Sequence, residues 1–224
     1  MAGLPGAVYA AGMTALQLGW ADGVRGSHPI GPVIDISGLH MGPAVSELPD
    51  GWLRFAANAP LERIRRDPLV ADFPALRSLL DGIAATGIRG LATLGGNLQW
   101  ASGDAGAFCA AFETRIVTSS GRRSFGPDAD GLILAVEIRR AEGFVEKVGF
   151  RAAFSPARIL LAGRRSANGI RLAAKVRGGP VAVAEGRLDE PLPDRLCAAA
   201  GVVSGTEEAV ILRALTAGRL KEGA

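Results

Sequence analysis

Histidine and cysteine are almost missing from this chain of 224 residues, with two of each. His28 and His40 show no HxH or HExxH spacing, and Cys109 and Cys197 lie far apart within apolar runs. A disulfide framework, a spaced metal site and a histidine-based triad are therefore not indicated. The two thiols read as buried, reduced core residues. Aromatics are scarce too, at 8 Phe, 3 Trp and 1 Tyr, so the core has to come from Ala, Leu, Val and Ile. No run of 18 uniformly apolar residues occurs, which argues against a membrane-spanning helix. No Lys or Arg precedes the apolar start "MAGLPGAVYAAGMTALQLGW", so a secretory signal is not expected, and the expectation is a cytoplasmic protein. GxGxxG and GxxxxGK[ST] are absent, which points away from a Rossmann dinucleotide site and a P-loop. No repeat of fixed period is found.

Basic residues are present but one-sided: of 25, all but three are arginine. The net charge is +3, with a slightly acidic first hundred residues and a basic remainder. That asymmetry is too mild for a nucleic-acid interface. Arg63, Arg65 and Arg66 read as a solvated helix face, with docking to an acidic partner as the alternative. Arg122-Arg123 and Arg164-Arg165 read as loop charges.

Periodicity gives a mixture of strands and helices. "VYAAGMTALQLGWADGV" reads as strand, loop and short helix, and "GPVIDISGL" and "GWLRFAANA" as strands. "PLERIRRDPLVADFPALRSLLDGIAATG" is helical, divided at Pro68 into two helices. A Gly-rich segment then leads into a helix near Gly106–Phe112 and a strand near Arg115–Thr118. "GRRSFGPDADG" is a turn-rich break. "LILAVEI", "VEKVGFRAAF", "GIRLAAKVRGG" and "PVAVAEGRL" read as strands, followed by helices at Leu192–Ala199 and Thr206–Leu220. The class is α+β, with a division expected between residues 142 and 143.

Two glycine loops carry the chemistry. In "TLGGN", Gly95 and Gly96 form either a tight turn or a nest whose consecutive N–H groups suit phosphate oxygens, flanked by the donors Thr93 and Asn97. Asp104, in Ser102-Gly103-Asp104, is either a ribose acceptor or the cap of the following helix. Ala11-Gly12-Met13-Thr14 follows the first strand. Trp100 reads equally as core or as a stacking partner for a ligand ring. No Ser-His-Asp, Cys-His or paired-carboxylate set emerges, so any redox chemistry belongs to a cofactor.

These segments, in this order, resemble the FAD-binding medium subunit of molybdenum hydroxylases, the xanthine dehydrogenase and carbon monoxide dehydrogenase family. Ala11-Gly12-Met13-Thr14-Ala15-Leu16 stands where the family has an "AGGTDL"-like loop. Val33-Ile34-Asp35-Ile36-Ser37 matches its "VDIS" strand. "AANAPLERIRRDPLVADFPAL" and "IRGLATLGGNL" match the next two landmarks, and "GLILAVEIRR…GFRAAF" the closing pair of strands. The likeness spans most of residues 8–155 and is densest over 67–104. It departs at Met13, where the family has a second glycine, at Ala15, where it has an acidic residue, and at a shortened "SPxxD" loop around Asp104.

The resemblance implies a PCMH-type FAD-binding domain over residues 1–142 and a small sheet-plus-helices domain over 143–224. It implies that the residues from Ala11 to Leu16, with Thr93, Gly95, Gly96 and Asn97, cradle the pyrophosphate of FAD. Asp104 would contact the cofactor, Ile133 would lie against its rings, and Arg151 would place a cation near the flavin. It further implies an electron-transfer subunit that receives electrons from [2Fe-2S] clusters of a small iron–sulfur subunit, beside a large molybdopterin subunit. The chain has no four-cysteine cluster motif of its own. A scaffold that has lost FAD, or a free-standing flavin oxidoreductase, are the alternative roles.

Overall fold

A computed structural model of the chain describes residues 6–21, 32–126, 131–151 and 155–222. His28 lies outside them. Strands β1 (Val8–Ala10) and β2 (Val33–Asp35) pair in parallel, Val8 opposite Val33, and α1 (Thr14–Ala21) lies on the crossover between them.

An antiparallel five-stranded sheet follows. It consists of β3 (Val45–Glu47), β4 (Trp52–Ala56), β5 (Thr114–Thr118), β6 (Gly121–Ser124) and β7 (Ile133–Arg139), in the order β3-β4-β7-β5-β6. Between β4 and β5 run six helices: α2 (Leu61–Arg65), α3 (Pro68–Ala71), α4 (Pro74–Gly82), α5 (Thr86–Arg89), α6 (Leu94–Gln99) and α7 (Ala105–Ala111). Alternation on the strands puts Leu53, Phe55, Ile116, Val136 and Ile138 on one face, packed against these helices. Three of the chain's eight phenylalanines meet in this core, Phe108 stacked on Phe112 at 4.2 Å with Phe73 tilted against both. On the opposite face Arg54 and Arg122 both donate to Oε1 of the fully buried Glu137, at 2.8 and 2.9 Å.

The chain changes sheet between Arg139 and Gly143. Strands β8 (Gly143–Gly149), β9 (Ala157–Ser166), β10 (Gly169–Val176) and β11 (Ala182–Gly186) form an antiparallel sheet in the order β11-β10-β9-β8. Helices α8 (Leu192–Ala199) and α9 (Glu207–Lys221) close the chain. Both faces of this sheet are covered. Ile159, Leu161, Ile170 and Leu172 pack toward α8 and α9, while Leu160, Ala162 and Ala173 join the core beneath α7.

Several elements differ from the expectation. Strand β9 was not anticipated: buried on both sides, "RILLAG" runs apolar without alternation and shows no period of two. The break at "GRRS" is strand β6, so Arg122 is a sheet residue that neutralises Glu137, and Arg164-Arg165 likewise lie in β9. Strand β8 ends at Gly149, before "FRAAF". The helical stretch is three helices rather than two, because Pro74 begins α4 just as Pro68 begins α3 with Asp67 as its cap. Arg65 is not a solvated charge: it bonds both Glu62 and Asp81.

The last helix is held by ions. Thr206 Oγ1 accepts the Ala209 N–H, and Arg158 on β9 donates to Glu207 at 2.6 Å and to Glu208 at 2.9 Å. Arg177 adds a second contact to Glu208 at 2.7 Å. These guanidiniums, Arg158 first, lower the Glu207 carboxyl and hold that of Glu208 at about 2, against an ordinary 4.5. Depressed carboxyls stabilise the fold above their ordinary value, and that stability is lost as pH falls through the folded value. Thermal melts should therefore lose stability between about pH 4.5 and 2. Glu208→Gln should lower the melting temperature at neutral pH and flatten its decline in that window. An unchanged acid profile would show that the network does not anchor α9.

Candidate functional site

The first glycine loop joins β1 to α1. Gly12 has no room for a side chain, since a Cβ there would stand 2.0 Å from the Leu91 carbonyl oxygen. This contact presses the first loop onto the segment that leads into Thr93. Met13 follows with φ +57°, in the left-handed region that favours glycine. Its carbonyl accepts the Gln17 N–H at 3.0 Å, which starts α1. The first amides of any helix have no intrahelical acceptor, and here they belong to Thr14, Ala15 and Leu16. Residues 11–16 are half-buried, and no acidic residue stands in the first turn of α1.

The second loop is not a turn: "LGGNLQ" is helix α6. Thr93 is its cap, extended at φ −113°, with Oγ1 accepting the Gly96 N–H at 3.2 Å and its carbonyl accepting the Asn97 N–H at 2.9 Å. The helix rests on the end of β4, where the Gly95 N–H donates to Ala57 O at 2.9 Å. A Cβ on Gly95 would come within 3.0 Å of both the Ala57 side chain and its carbonyl. The two glycines thus do different things. Gly95 is buried because α6 packs on backbone, whereas Gly96 is exposed and presents bare chain outward beside the Thr93 hydroxyl. Both amides of the pair already have acceptors within the chain, so the donors left at this junction are the α1 amides and the Thr93 O–H.

Beneath the loops, Arg89 is buried and fixes the approach to Thr93. It donates to Glu62 at 2.9 Å, to the carbonyls of Ile83 and Ala84, and to Thr86 Oγ1. Three arginines, 65, 89 and 66, hold the Glu62 carboxyl far below the usual carboxylate range. The sequence reading singled out neither Arg89 nor Glu62. Their partners lie up to 27 residues apart, beyond any helical spacing.

Asn97 faces inward, and its Oδ1 accepts the Ala105 N–H at 2.8 Å, capping α7. Asp104 occupies the cap position of that helix, but its side chain makes no cap bond. Its carboxylate is buried against Lys147 Nζ at 2.7 Å, and Lys147 also donates to Gly82 O. Lys175, buried alongside, donates to Gly103 O at 2.9 Å. Burial pushes the Lys175 ammonium below its ordinary value, while the charge of Asp104 opposes that shift. Two of the chain's three lysines thus meet at one loop, Lys147 on the Asp104 carboxylate and Lys175 on the neighbouring Gly103 carbonyl, a cluster that the sequence did not reveal. Ile133 is buried at the start of β7, and Trp100 ends α6. Arg151 is exposed just past β8, its backbone N–H donating to Ser155 Oγ at 3.3 Å. The structure therefore sets Gly12 of the first loop against Leu91 and Ala92, which lead into the second loop at Thr93, and places Asp104 beside the Ala105 amide that Asn97 accepts.

The buried Cys109 and Cys197 are free thiols, and burial pushes Cys109 up to about 12, so it is not a nucleophile. Among the described residues no cluster of His, Cys, Asp or Glu could hold a metal ion, and no helix is long and apolar enough to cross a membrane.

Donors without an anion, at a helix N-terminus and beside a serviceable hydroxyl, with no carboxylate in the first turn of α1 or α6, suit a phosphate-bearing ligand. The comparisons agree. Residues 2–148 match the family described as the FAD-binding domain in molybdopterin dehydrogenase, and the chain belongs to that family, whose cofactor is FAD. The fold is shared with solved structures. Quinoline 2-oxidoreductase from Pseudomonas putida 86 superposes with a TM-score of 0.72 at 21% identity, covering 97% of this chain and 89% of the other. Reconstituted CO dehydrogenase from Oligotropha carboxidovorans gives 0.71 at 16% identity, covering 97% and 88%. CO dehydrogenase from Hydrogenophaga pseudoflava lacking the Mo-pyranopterin moiety gives 0.65 at 20% identity, covering 95% and 78%. Comparison with curated proteins gives no match.

Two outcomes follow for stability. Gly95→Ala should cost about 1–3 kcal/mol in chemical denaturation by overpacking against Ala57, whereas Gly96→Ala should stay within about 1 kcal/mol of the parent. Equal losses would mean that α6 does not sit on Ala57 as described. Met13→Gly should stabilise by about 0.5–1 kcal/mol, the left-handed penalty outweighing the added chain entropy. A loss instead would show that the methionine side chain earns its place by packing.

Proposed function

We propose that this chain is the FAD-binding electron-transfer subunit of a molybdenum hydroxylase-type complex. The observation that carries the reading is the junction of the two loops, where Gly12, two residues before α1, meets Leu91 and Ala92, which lead directly into the Thr93 cap of α6. In this reading the backbone from Ala11 through Gly12, Met13, Thr14 and Ala15 to Leu16 wraps one side of the pyrophosphate. The unpaired amides of Thr14, Ala15 and Leu16 donate to its oxygens, favoured by the positive end of the α1 dipole. The Thr93 hydroxyl accepts from Gly96 and donates its own proton to the second phosphate. Gly95 sets the height of α6, and the exposed Gly96 admits the phosphate without a Cβ in the way.

Asn97 and Asp104 act behind this surface by orienting α7, and Ile133 supplies an apolar contact for a ring. Arg151 sets a positive charge at the edge of the C-terminal sheet. When bound, FAD supplies an acceptor that takes electrons singly or in pairs and passes them on. The electron source in this reading is a [2Fe-2S] cluster of an iron–sulfur subunit, with substrate oxidation on a molybdopterin subunit. The family match supports both partners, as does likeness to the CO dehydrogenase and quinoline 2-oxidoreductase folds.

The test is the absorbance spectrum of the purified chain, with the released cofactor identified after denaturation. Near-stoichiometric FAD is expected, and Gly96→Ala should weaken FAD binding by about tenfold while leaving the fold intact. No flavin after incubation with excess FAD and with both partner subunits would overturn the reading. The chain would then be a scaffold, with the Met13 side chain filling the space of the phosphate.

A further inference from the structure

The strand register sets one row of side chains across all five strands of the first sheet: Ser46, Arg54, Glu137, Arg115 and Ser124. The row lies on the face away from the helices. Arg122, two residues before Ser124 on β6, and Trp52, two before Arg54 on β4, share that face. Glu137 stands at its centre, fully buried, with Oε1 accepting from Arg54 at 2.8 Å and from Arg122 at 2.9 Å. Its Oε2 has no donor among the described residues. Arg115, opposite Glu137 in the register, lies instead over the Trp52 ring at 3.8 Å.

The buried carboxylate orients these forks and leaves most of their donors open. Arg54 and Arg122 each give it one N–H, and Arg115 is steadied by the ring. Three cations around one carboxylate leave a surplus of two positive charges, while Arg139 and Glu113, next along the face, pair with each other at 3.2 Å. Arg115 and Arg122 are exposed, and Arg54 is half-buried. Because Arg115 covers Trp52, the face offers no open ring on which a base could stack. Planar guanidiniums carried on strands about 4.8 Å apart suit carboxylates, which each can bind through two bonds.

We infer that this face is a docking surface for an acidic segment of a partner protein, its carboxylates gripped by Arg54, Arg115 and Arg122. Charge complementarity selects the occupant: the forks carry the surplus charge, and Ser46 and Ser124 flank them with hydroxyls. Carboxylates that arrive above Arg54 and Arg122 meet forks that Glu137 already holds in place, which lowers the ordering cost of the contact. The surface lies across the sheet from the core under Leu94 of α6 and involves no cofactor, so it stands apart from the reading under Proposed function.

The probe is hexaglutamate, titrated calorimetrically into the purified full chain at low ionic strength. One saturable site is expected, weakened severalfold by physiological salt. Arg115→Gln and Arg122→Gln should each weaken it by about fivefold, and Ser124→Glu, which sets a competing carboxylate beside Arg115, by about tenfold. Arg63→Gln, which removes an exposed cation on α2, should leave the affinity unchanged. If Arg122→Gln unsettles the sheet by leaving Glu137 to Arg54 alone, Ser124→Glu decides, since Ser124 is exposed on an edge strand. Absence of saturable binding, or an equal loss in Arg63→Gln and Arg115→Gln, would overturn the docking surface. So would a six-residue thymidylate strand, or phosphatidylglycerol vesicles, that bound as tightly as the peptide and lost affinity in the same variants. The face would then be a general polyanion surface.

Discussion

Gly12 lies so close to the Leu91 carbonyl that no other residue fits there, and the site depends on that contact. The β1–α1–β2 unit is a two-stranded parallel pair, too small to define its own position. Two contacts among the described residues fasten it to the main body. One is the Gly12–Leu91 contact, and the other is Asn58, whose Nδ2 donates to the carbonyls of Ile36 and Leu39. The second loop is fixed from below by Arg89 and sideways by the seating of Gly95 on Ala57. The chain entering α1 and the chain entering α6, from distant parts of the sequence, are thereby held against each other.

Charge is used in this molecule mainly to join elements. Arginine forks span strands and helix ends, as in Arg54 and Arg122 on Glu137 and Arg158 on Glu207 and Glu208. Two of the three lysines serve a tight place. Lys147 and Lys175 reach from the C-terminal sheet to Asp104 and Gly103, tying the helix behind Asn97 to the second sheet. A compact ammonium fits there better than a planar fork would. Asp104 therefore serves the junction of the two sheets in this structure, whatever it contributes to the cofactor.

Much of the fold was legible where periodicity is local. The β1–loop–α1 order, β2, β4, α7, β7, β10, β11 and the two last helices follow from apolar spacing and caps. Helix α6 was hidden because two glycines lower helix propensity by about 1 kcal/mol each. Its formation depends instead on the Thr93 cap and on burial of Leu94 and Asn97. Strands β3, β6 and β9 were hidden for other reasons: the first two are short edge strands, and the third is apolar on both faces. The loops of the site were legible as glycine motifs, but the split of labour between Gly95 and Gly96 was not. It depends on Ala57, which is 38 residues away. The Arg89–Glu62 and Lys147–Asp104 pairs are likewise long-range contacts with no sequence spacing to announce them.

The most direct test of the account is amide NMR of the ¹⁵N-labelled chain titrated with ADP, which carries the pyrophosphate without the flavin. The account predicts the largest shifts at Thr14, Ala15, Leu16 and Gly96, with β9 and β10 silent. Shifts confined to β9 and β10, with the loops unmoved, would contradict it.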